Sequence, residues 1–355
     1  MGRTVRTAGA AVTLLAAVAL GAPGAAEAGA AAVQAAPAAV ADFNGDGIDD
    51  LAVGVPAESL GGVVGAGVVD VIYGSESGLP DGGRQQLTQA SPEHGDQFGA
   101  AVATGDFNGD SFTDLAVGVP GEDVGSVGDA GAVEVFYGGG GGLPGVGDQL
   151  LRQGAAGMAG TAETGDQFGA ALSSGLVDAG DEADLAVGAP GEDVGAVADA
   201  GAVHLVDGAA GGLLGSPNLL VTETTPETGD GFGSAVEVGD LSGGGGTAGP
   251  DDLAVGAPGE NVGAVVDAGA VSIIDAAEDG SGIPAGGPPR SASSRGTAGS
   301  RGPRRAATSS GPRWPRGCSG RAGSTWPSAS PVRTSAPPPT PGRSWSWSAR
   351  ACTPY

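Results

Sequence analysis

The segment Asp-Leu-Ala-Val-Gly occurs four times in this chain of 355 residues, at 50–54, 114–118, 184–188 and 252–256. Each copy is followed by Val-Pro or Ala-Pro, and successive copies start 64, 70 and 68 residues apart. Self-similarity at a nearly constant period is typical of repeat architectures, in which every repeat is one supersecondary unit. The sequence therefore predicts four related units within residues 41–285.

Apolar residues alternate with small or polar ones inside each unit, and this period of two is typical of β-strands. In the second unit, Leu115, Val117 and Val119 alternate with smaller residues, and glycine and proline separate the strand-like segments. Four short strands in a unit of about 65 residues favour one blade of a β-propeller. A coil of a β-solenoid is the alternative, although its repeats are usually shorter. The four strands of this unit are predicted at about 98–104, 115–119, 132–137 and 149–153.

Two further signatures recur in register with these segments. Gly-Asp-x-Phe-Gly precedes the last three copies, and Asp-Ala-Gly-Ala-Val follows them, starting at Asp129, Asp199 and Asp267. Together with Gly-x-Pro, these signatures resemble the FG-GAP repeats of integrin α chains and their bacterial relatives. The Phe-Gly pairs are Phe98-Gly99, Phe168-Gly169 and Phe232-Gly233.

The resemblance implies an all-β fold, a β-propeller whose blades are four-stranded antiparallel sheets. The blades are placed at about residues 41–90, 91–160, 161–225 and 226–285. Integrin heads contain seven such blades, so about four blades imply an incomplete ring. The first unit begins at its acidic loop, without a Phe-Gly strand before it. In closed propellers, a missing first strand is commonly supplied by the C-terminus.

The N-terminal 30 residues have the pattern of a secretory signal peptide. Arg3 and Arg6 precede an apolar run over residues 8–20, and small residues follow through Ala26-Glu27-Ala28. Cleavage near residue 28 would leave a linker over residues 31–40 and a secreted, extracellular protein. The apolar run is too short to span a bilayer, and no other stretch of the sequence is predicted to do so.

Charge is divided unevenly along the chain, which has 41 acidic and 15 basic residues. Residues 31–285 contain all but one of the acidic residues, and their basic residues are Arg84 and Arg152. Such an acidic body repels nucleic acid and attracts cations. Both cysteines, Cys318 and Cys352, lie outside it. The body is therefore predicted to be stabilised by packing and metal, without a disulfide.

Residues 286–355 form an Arg/Pro/Ser-rich tail that carries eleven arginines and no acid. One interpretation is a disordered linker or a cell-wall-binding tail of low complexity. The other, which we favour, is a fifth repeat in the wrong reading frame after a frameshift near residues 280–306. In the neighbouring frame, GC-rich codons for residues 307–317 can encode Gly-Asp-Gln-Phe-Gly. Those for 326–348 can encode Leu-Ala-Val-Gly-Val-Pro and then Asp-Ala-Gly-Ala-Val.

Two acidic loops carry side-chain oxygens at alternate positions, which is how a tight turn can offer ligands to Ca²⁺. An EF-hand is excluded, because its twelfth position would be Val53 or Val117 where glutamate is required. Aspartate at the ninth position instead matches the calcium loop of integrin-type blades. Solvated Asx turns are the alternative. The predicted ligands are Asp42, Asn44, Asp46, Asp50 and the Ile48 carbonyl in the first loop, and Asp106, Asn108, Asp110, Asp114 and the Phe112 carbonyl in the second.

The other acidic segments are less specific. Ser111 replaces the glycine preferred at the sixth position, so the second site is predicted to be weaker. The third loop has Leu176 and Gly180 at positions one and five, and the fourth is four residues too long, so neither is assigned calcium. The Pro-Gly-Glu-Asp-Val-Gly segments at 120–125 and 190–195 are either surface turns or part of a ligand-binding face.

The resemblance implies a secreted calcium-binding module for extracellular recognition or cell adhesion, with an unidentified protein or glycan ligand. The alternative is a non-catalytic remnant of a phospholipase D-type hydrolase, or a module related to one, because FG-GAP repeats also accompany such enzymes. His94 and His204 lie in different repeats without a nucleophile motif, so no catalytic residue is predicted. A third possibility is a frameshifted product without function.

Overall fold

The computed structural model describes residues 38–79, 84–155, 157–213, 218–241, 250–277 and 282–284. The predicted signal peptide and the Arg-rich tail lie outside these ranges. The backbone that is described forms four separate antiparallel sheets. The first contains β1 (Ala38–Ala41), β2 (Asp50–Val55), β3 (Val68–Ile72) and β4 (Arg84–Leu87). The second contains β5 (Val102–Gly105), β6 (Asp114–Val119), β7 (Ala132–Phe136) and β8 (Gln149–Leu151).

The remaining sheets follow the same plan. The third contains β9 (Ala171–Gly175), β10 (Asp184–Ala189), β11 (Ala202–Val206) and β12 (Leu219–Val221). The fourth contains β13 (Ala235–Gly239), β14 (Asp252–Ala257) and β15 (Ala270–Ile274) among the described residues. Strands adjacent in sequence are adjacent in each sheet, and each Asp-Leu-Ala-Val-Gly segment forms the second strand. The structure thus confirms the all-β fold of blade-like sheets. No helix in the described ranges has the length and apolar character needed to cross a membrane.

In the first two repeats, the first strand differs from the prediction. In the second repeat it starts at Val102, because Phe98 forms a bridge with Gly67 of the preceding repeat. In the first repeat, Ala38–Ala41 forms a strand where a linker was predicted, with Ala41 opposite Asp50. The absence of a Phe-Gly pair before it is therefore no sign of a missing strand. The first sheet has four strands of its own and does not need one from the C-terminus.

The hydrophobic core lies between consecutive sheets. One cluster joins the first and second sheets, another the second and third, and another the third and fourth. Strands β6 and β10 are buried at every position, whereas β2 and β14 alternate between buried and partly exposed positions. Both faces of the second and third sheets are therefore covered. The fully buried phenylalanines, each worth roughly 1.5–3 kcal/mol, are Phe43, Phe98, Phe107, Phe136, Phe168 and Phe232.

The glycines of the repeat signatures allow the sheets to approach closely. Gly131, in Asp-Ala-Gly-Ala-Val, has a φ of 83°, and a Cβ there would lie 2.3 Å from the carbonyl oxygen of Phe168. At Gly118, in Asp-Leu-Ala-Val-Gly, a Cβ would lie 2.1 Å from the carbonyl oxygen of Gly169. Both glycines therefore mark where the Phe-Gly segment of the next repeat crosses the sheet. Only a residue without a side chain fits such a crossing.

Glu134 is a charged residue in the buried third strand of the second sheet. Its side chain is 9% exposed, and burial raises the pKa of this carboxyl to about 7. A hydrogen bond from the Gly147 amide lowers this pKa, and the charge of Glu122 raises it. Glu134 therefore makes the folded state hold a proton that the unfolded chain releases near pH 4.3, roughly the ordinary value for glutamate.

The substitution Glu134→Gln is expected to stabilise the protein at pH 8 by about 2 kcal/mol and to leave its stability at pH 4 nearly unchanged. The contribution of Glu134 is fully present below the unfolded pKa and is lost as the pH rises through the folded value of about 7. Urea unfolding of both proteins at several pH values measures the difference in their free energy of unfolding. The other titrating groups are common to both proteins, so their contributions cancel in this difference. Parallel stability curves from pH 4 to 8 would contradict this assignment.

Candidate metal-binding loops

The first acidic loop connects β1 to β2 and is folded by its own side chains. Asp42 accepts hydrogen bonds from the amides of Gly45 at 2.7 Å and Gly47 at 2.8 Å. Asn44 Oδ1 accepts from the Asp46 amide at 2.9 Å, and Asp46 Oδ1 accepts from the Ile48 amide at 2.8 Å. Side-chain oxygens at alternate positions thus face the same turn, as the predicted ligand spacing requires.

The second loop connects β5 to β6 and repeats this arrangement. Asp106 accepts from the amides of Asp110 at 3.1 Å and Ser111 at 2.9 Å, while Asn108 accepts from the Asp110 amide at 2.9 Å. Asp110 accepts from the Phe112 amide at 2.9 Å. Ser111 has a φ of 76°, close to the 84° of the equivalent Gly47. Since this conformation costs a non-glycine residue about 1 kcal/mol, the second loop is strained where the first is not.

The two loops contact each other across the first and second sheets. Thr113 donates its amide to the Asp42 carbonyl at 3.4 Å, and Gly139 donates to the Phe43 carbonyl at 3.2 Å. A Cβ at Gly45 would lie 2.5 Å from the ring of Phe112, so this ring covers the first loop. A conformational change in one loop will therefore alter the contacts that it makes with the other loop.

The ninth-position aspartates have a structural role that the sequence analysis missed. Asp50 accepts from the Phe43 amide at 2.9 Å and the Gly74 amide at 2.8 Å, so it joins the loop to the end of β3. Asp114 does the same with the amides of Phe107 and Gly138, both at 2.8 Å. Asp184 and Asp252 repeat the pattern, although their loops do not have the full set of predicted ligands. The signal in the sequence was the presence of this aspartate in all four repeats.

The loops concentrate negative charge. Burial raises the pKa of Asp114 to about 7; the Gly138 and Phe107 amides oppose this shift, and the charges of Asp110 and Asp106 add to it. Burial likewise raises the pKa of Asp50. Every predicted metal-ligand atom is an oxygen, which suits the hard ion Ca²⁺. Among the described residues, however, no three carboxylates of these loops bring ligand atoms to within 4.8 Å of one another.

The two histidines lie in different repeats, His94 in the loop between β4 and β5 and His204 in β11. His204 is fully buried in β11, where its ring packs edge-on against Phe168 with 5.0 Å between centroids. Its ring nitrogens contact Asn218 at 2.9 Å and Gln153 at 3.3 Å, and burial lowers its pKa to about 4. His94 is exposed and accepts from the Val64 amide at 3.3 Å. Packing is thus the role of His204.

Four-stranded meanders that pack face to face, with an acidic loop before each second strand, define a repeat protein with β-propeller blades. The FG-GAP repeat profile matches residues 36–72 and 98–136. The chain therefore carries FG-GAP repeats. Its relatives are integrin α chains and the FG-GAP regions of a phospholipase D.

The individual relatives match over one or two repeats. Phosphatidylinositol-glycan-specific phospholipase D from Mus musculus is 41% identical over 102 residues, which is 28% of this chain and 12% of that protein. Integrin alpha-PS5 from Drosophila melanogaster is 42% identical over 89 residues, or 24% of this chain and 8% of that protein. Integrin alpha-V from Gallus gallus is 39% identical over 85 residues, which is 23% of this chain and 7% of that protein. The matched segments thus span about an eighth or less of these relatives.

Proposed function

We propose that the chain is a secreted, calcium-binding module that recognises an extracellular protein or glycan, as in cell adhesion, and performs no catalysis. The observation that carries this proposal is the similarity of its repeats to integrin α chains at 38–42% identity. The signal-peptide pattern at residues 1–28 and the acidic body support an extracellular location. His94 and His204 lie in different repeats and neither is accompanied by a nucleophile motif in the sequence, which supports a non-catalytic role.

Calcium would have a structural role in this module. Asp42, Asn44 and Asp46 would hold it in the first loop, with the Ile48 carbonyl and with Asp50 completing the set. The equivalent ligands of the second loop are Asp106, Asn108, Asp110, Asp114 and the Phe112 carbonyl. A bound Ca²⁺ would neutralise carboxylates that otherwise repel one another and would fix the turn. Because the two loops contact each other, the ion would also stabilise the junction of the first two sheets.

Removal of calcium is expected to lower the melting temperature of the protein, because the loop carboxylates then repel without a counterion. Thermal unfolding followed by circular dichroism in 2 mM Ca²⁺ and in excess chelator (about 5 mM, a saturating excess) measures the effect. The double variant Asp46→Asn/Asp110→Asn should lose the part of the calcium response that these loops supply.

Asp178→Asn is the matched control for this experiment. Asp178 forms the same type of turn with the Gly180 amide at 2.6 Å, but its loop has no carboxylate at positions one and five. The control should respond to calcium as the unmodified protein does. An unchanged melting temperature in chelator, or an equal effect of Asp178→Asn, would refute the loop sites.

A hydrolytic function is the second candidate, favoured by the 39–42% identity to phosphatidylinositol-glycan-specific phospholipase D from four mammals. Two assays separate the candidates. Under the first proposal, the purified protein binds an immobilised extracellular-matrix protein or glycan and releases no product from a glycosylphosphatidylinositol-anchored substrate. Metal-dependent release of product would establish the hydrolytic function instead.

A further inference from the structure

Three carboxylates from different segments meet between the third and fourth sheets. They are Glu223, two residues after β12, Asp230, in the Gly-Asp-x-Phe-Gly signature, and Glu260, three residues after β14. Ligand oxygens of the three residues all lie within 4.8 Å of one another. Glu260 follows the C-terminal end of β14, whereas the fourth acidic loop precedes its N-terminal end. The group is therefore separate from the calcium loops described above.

Asp230 is a fully buried member of this group with an unsatisfied oxygen. Its side chain is 0% exposed, and one oxygen accepts from the Glu227 amide at 2.5 Å. The other oxygen, Oδ1, is buried and has no hydrogen-bond partner, and Glu260 Oε2 is in the same condition. A buried oxygen without a partner is destabilising. A ligand that carries positive charge would satisfy both atoms.

The preceding repeats have an aspartate and a glutamate at two of the three positions, and their Asp96 and Asp166 also have a buried Oδ1 without a hydrogen-bond partner, but the third position is occupied differently. Between the first and second sheets, Gln89 donates to Glu122 at 2.7 Å, close to Asp96. Between the second and third sheets, Gln153 donates to Glu192, close to Asp166. Each glutamine lies two residues after the fourth strand of its sheet, as Glu223 does.

Glu223 therefore stands where the other repeats have glutamine. The exchange removes an amide donor and adds a negative charge beside two existing carboxylates. Without a compensating ion this arrangement is unfavourable, because three carboxylates at such distances repel strongly.

We propose that Glu223, Asp230 and Glu260 bind a hard divalent cation, with Ca²⁺ as the fitting ion. Three carboxylates supply up to six oxygens, and Ca²⁺ takes six to eight in irregular geometry. The absence of nitrogen and sulfur ligands in the group disfavours zinc. Glu223 and Glu260 are partly exposed, which leaves room for water ligands. Since Glu223 belongs to the third repeat and Glu260 to the fourth, the ion links two sheets.

The test uses the full mature chain carrying Asp46→Asn/Asp110→Asn, which removes the loop sites from the measurement. Equilibrium dialysis against Ca²⁺ should then find one bound ion per chain. Adding Glu223→Gln should abolish this binding and the calcium-dependent rise in melting temperature. The same variant should melt higher than its parent in chelator, since glutamine can donate to Glu260 as Gln89 does to Glu122.

Gln153→Glu is the reciprocal variant, because it converts the preceding interface into the same three-carboxylate group. It should add one bound Ca²⁺ per chain to the same parent. The proposal is overturned if the parent binds no ion, which would mean that the carboxylates share a proton, or if Glu223→Gln leaves binding unchanged. Restoring Asp46 and Asp110 in the Glu223→Gln protein tests the loop sites separately, so the two proposals can fail independently.

Discussion

Replacing Gly118 with alanine is expected to destabilise the protein by roughly 3–4 kcal/mol, near the upper end of overpacking effects. The added Cβ would lie 2.1 Å from the carbonyl oxygen of Gly169. That oxygen belongs to the backbone of the next repeat, so it cannot move aside as a flexible side chain would. The second and third sheets would have to separate, and their shared cluster of Phe168, Val133 and Leu185 would be opened. Urea unfolding measures the loss.

Gly256→Ala is the matched control, since Gly256 has the same place in the fourth Asp-Leu-Ala-Val-Gly segment. Its added Cβ would meet Ala235 of its own sheet at 3.4 Å, which is nearly an ordinary contact. We expect a change within about 0.5 kcal/mol, as for sites without special contacts. A Gly118→Ala protein as stable as the original would refute the close contact between Gly118 and the backbone of Gly169. A large cost at Gly256 would instead show that another segment of the chain packs on β14.

The fold could be predicted from the sequence because its period-two strands and glycine punctuation recur in register. Positions of the second and third strands followed directly, as at 115–119 and 132–137. The first strands did not, because the Phe-Gly signature was assigned to its own sheet. In the structure, Phe98 bridges Gly67 of the repeat before it. A local pattern shows that a residue is buried, but does not show which sheet buries it.

The candidate sites divide in the same way. The turns around Asp42 and Asp106 could be predicted, because their hydrogen bonds are made within a few residues. The hydrogen bonds that the Gly74 amide donates to Asp50 and the Gly138 amide donates to Asp114 each span 24 residues. They depend on how the β-hairpin places its ends. The group around Glu223 could not be found from one repeat. It becomes visible only when the structure aligns Glu223 with Gln89 and Gln153.

The substitution Asp184→Ala is expected to cost roughly 3–4 kcal/mol, since it leaves two amides without an acceptor at about 1–3 kcal/mol each and also opens a cavity. Asp184 is 2% exposed and accepts from the amides of Val177 and Gly208, both at 2.9 Å. Asp184→Asn keeps one acceptor oxygen and should lose about half as much. Urea unfolding of both variants gives the comparison.

Comparing the stability loss in Ca²⁺ with that in chelator distinguishes this structural role of the aspartate from metal ligation. The third loop has Leu176 and Gly180 where the first two loops have aspartate, so the cost of Asp184→Ala should be equal in Ca²⁺ and in chelator. An aspartate kept only as a metal ligand would be dispensable in this loop, and a loss below about 1 kcal/mol, the worth of a single hydrogen bond, would support that view. The equivalent Asp50→Ala should cost more in Ca²⁺ than in chelator, because Asp50 would then lose its ion as well as its two amides.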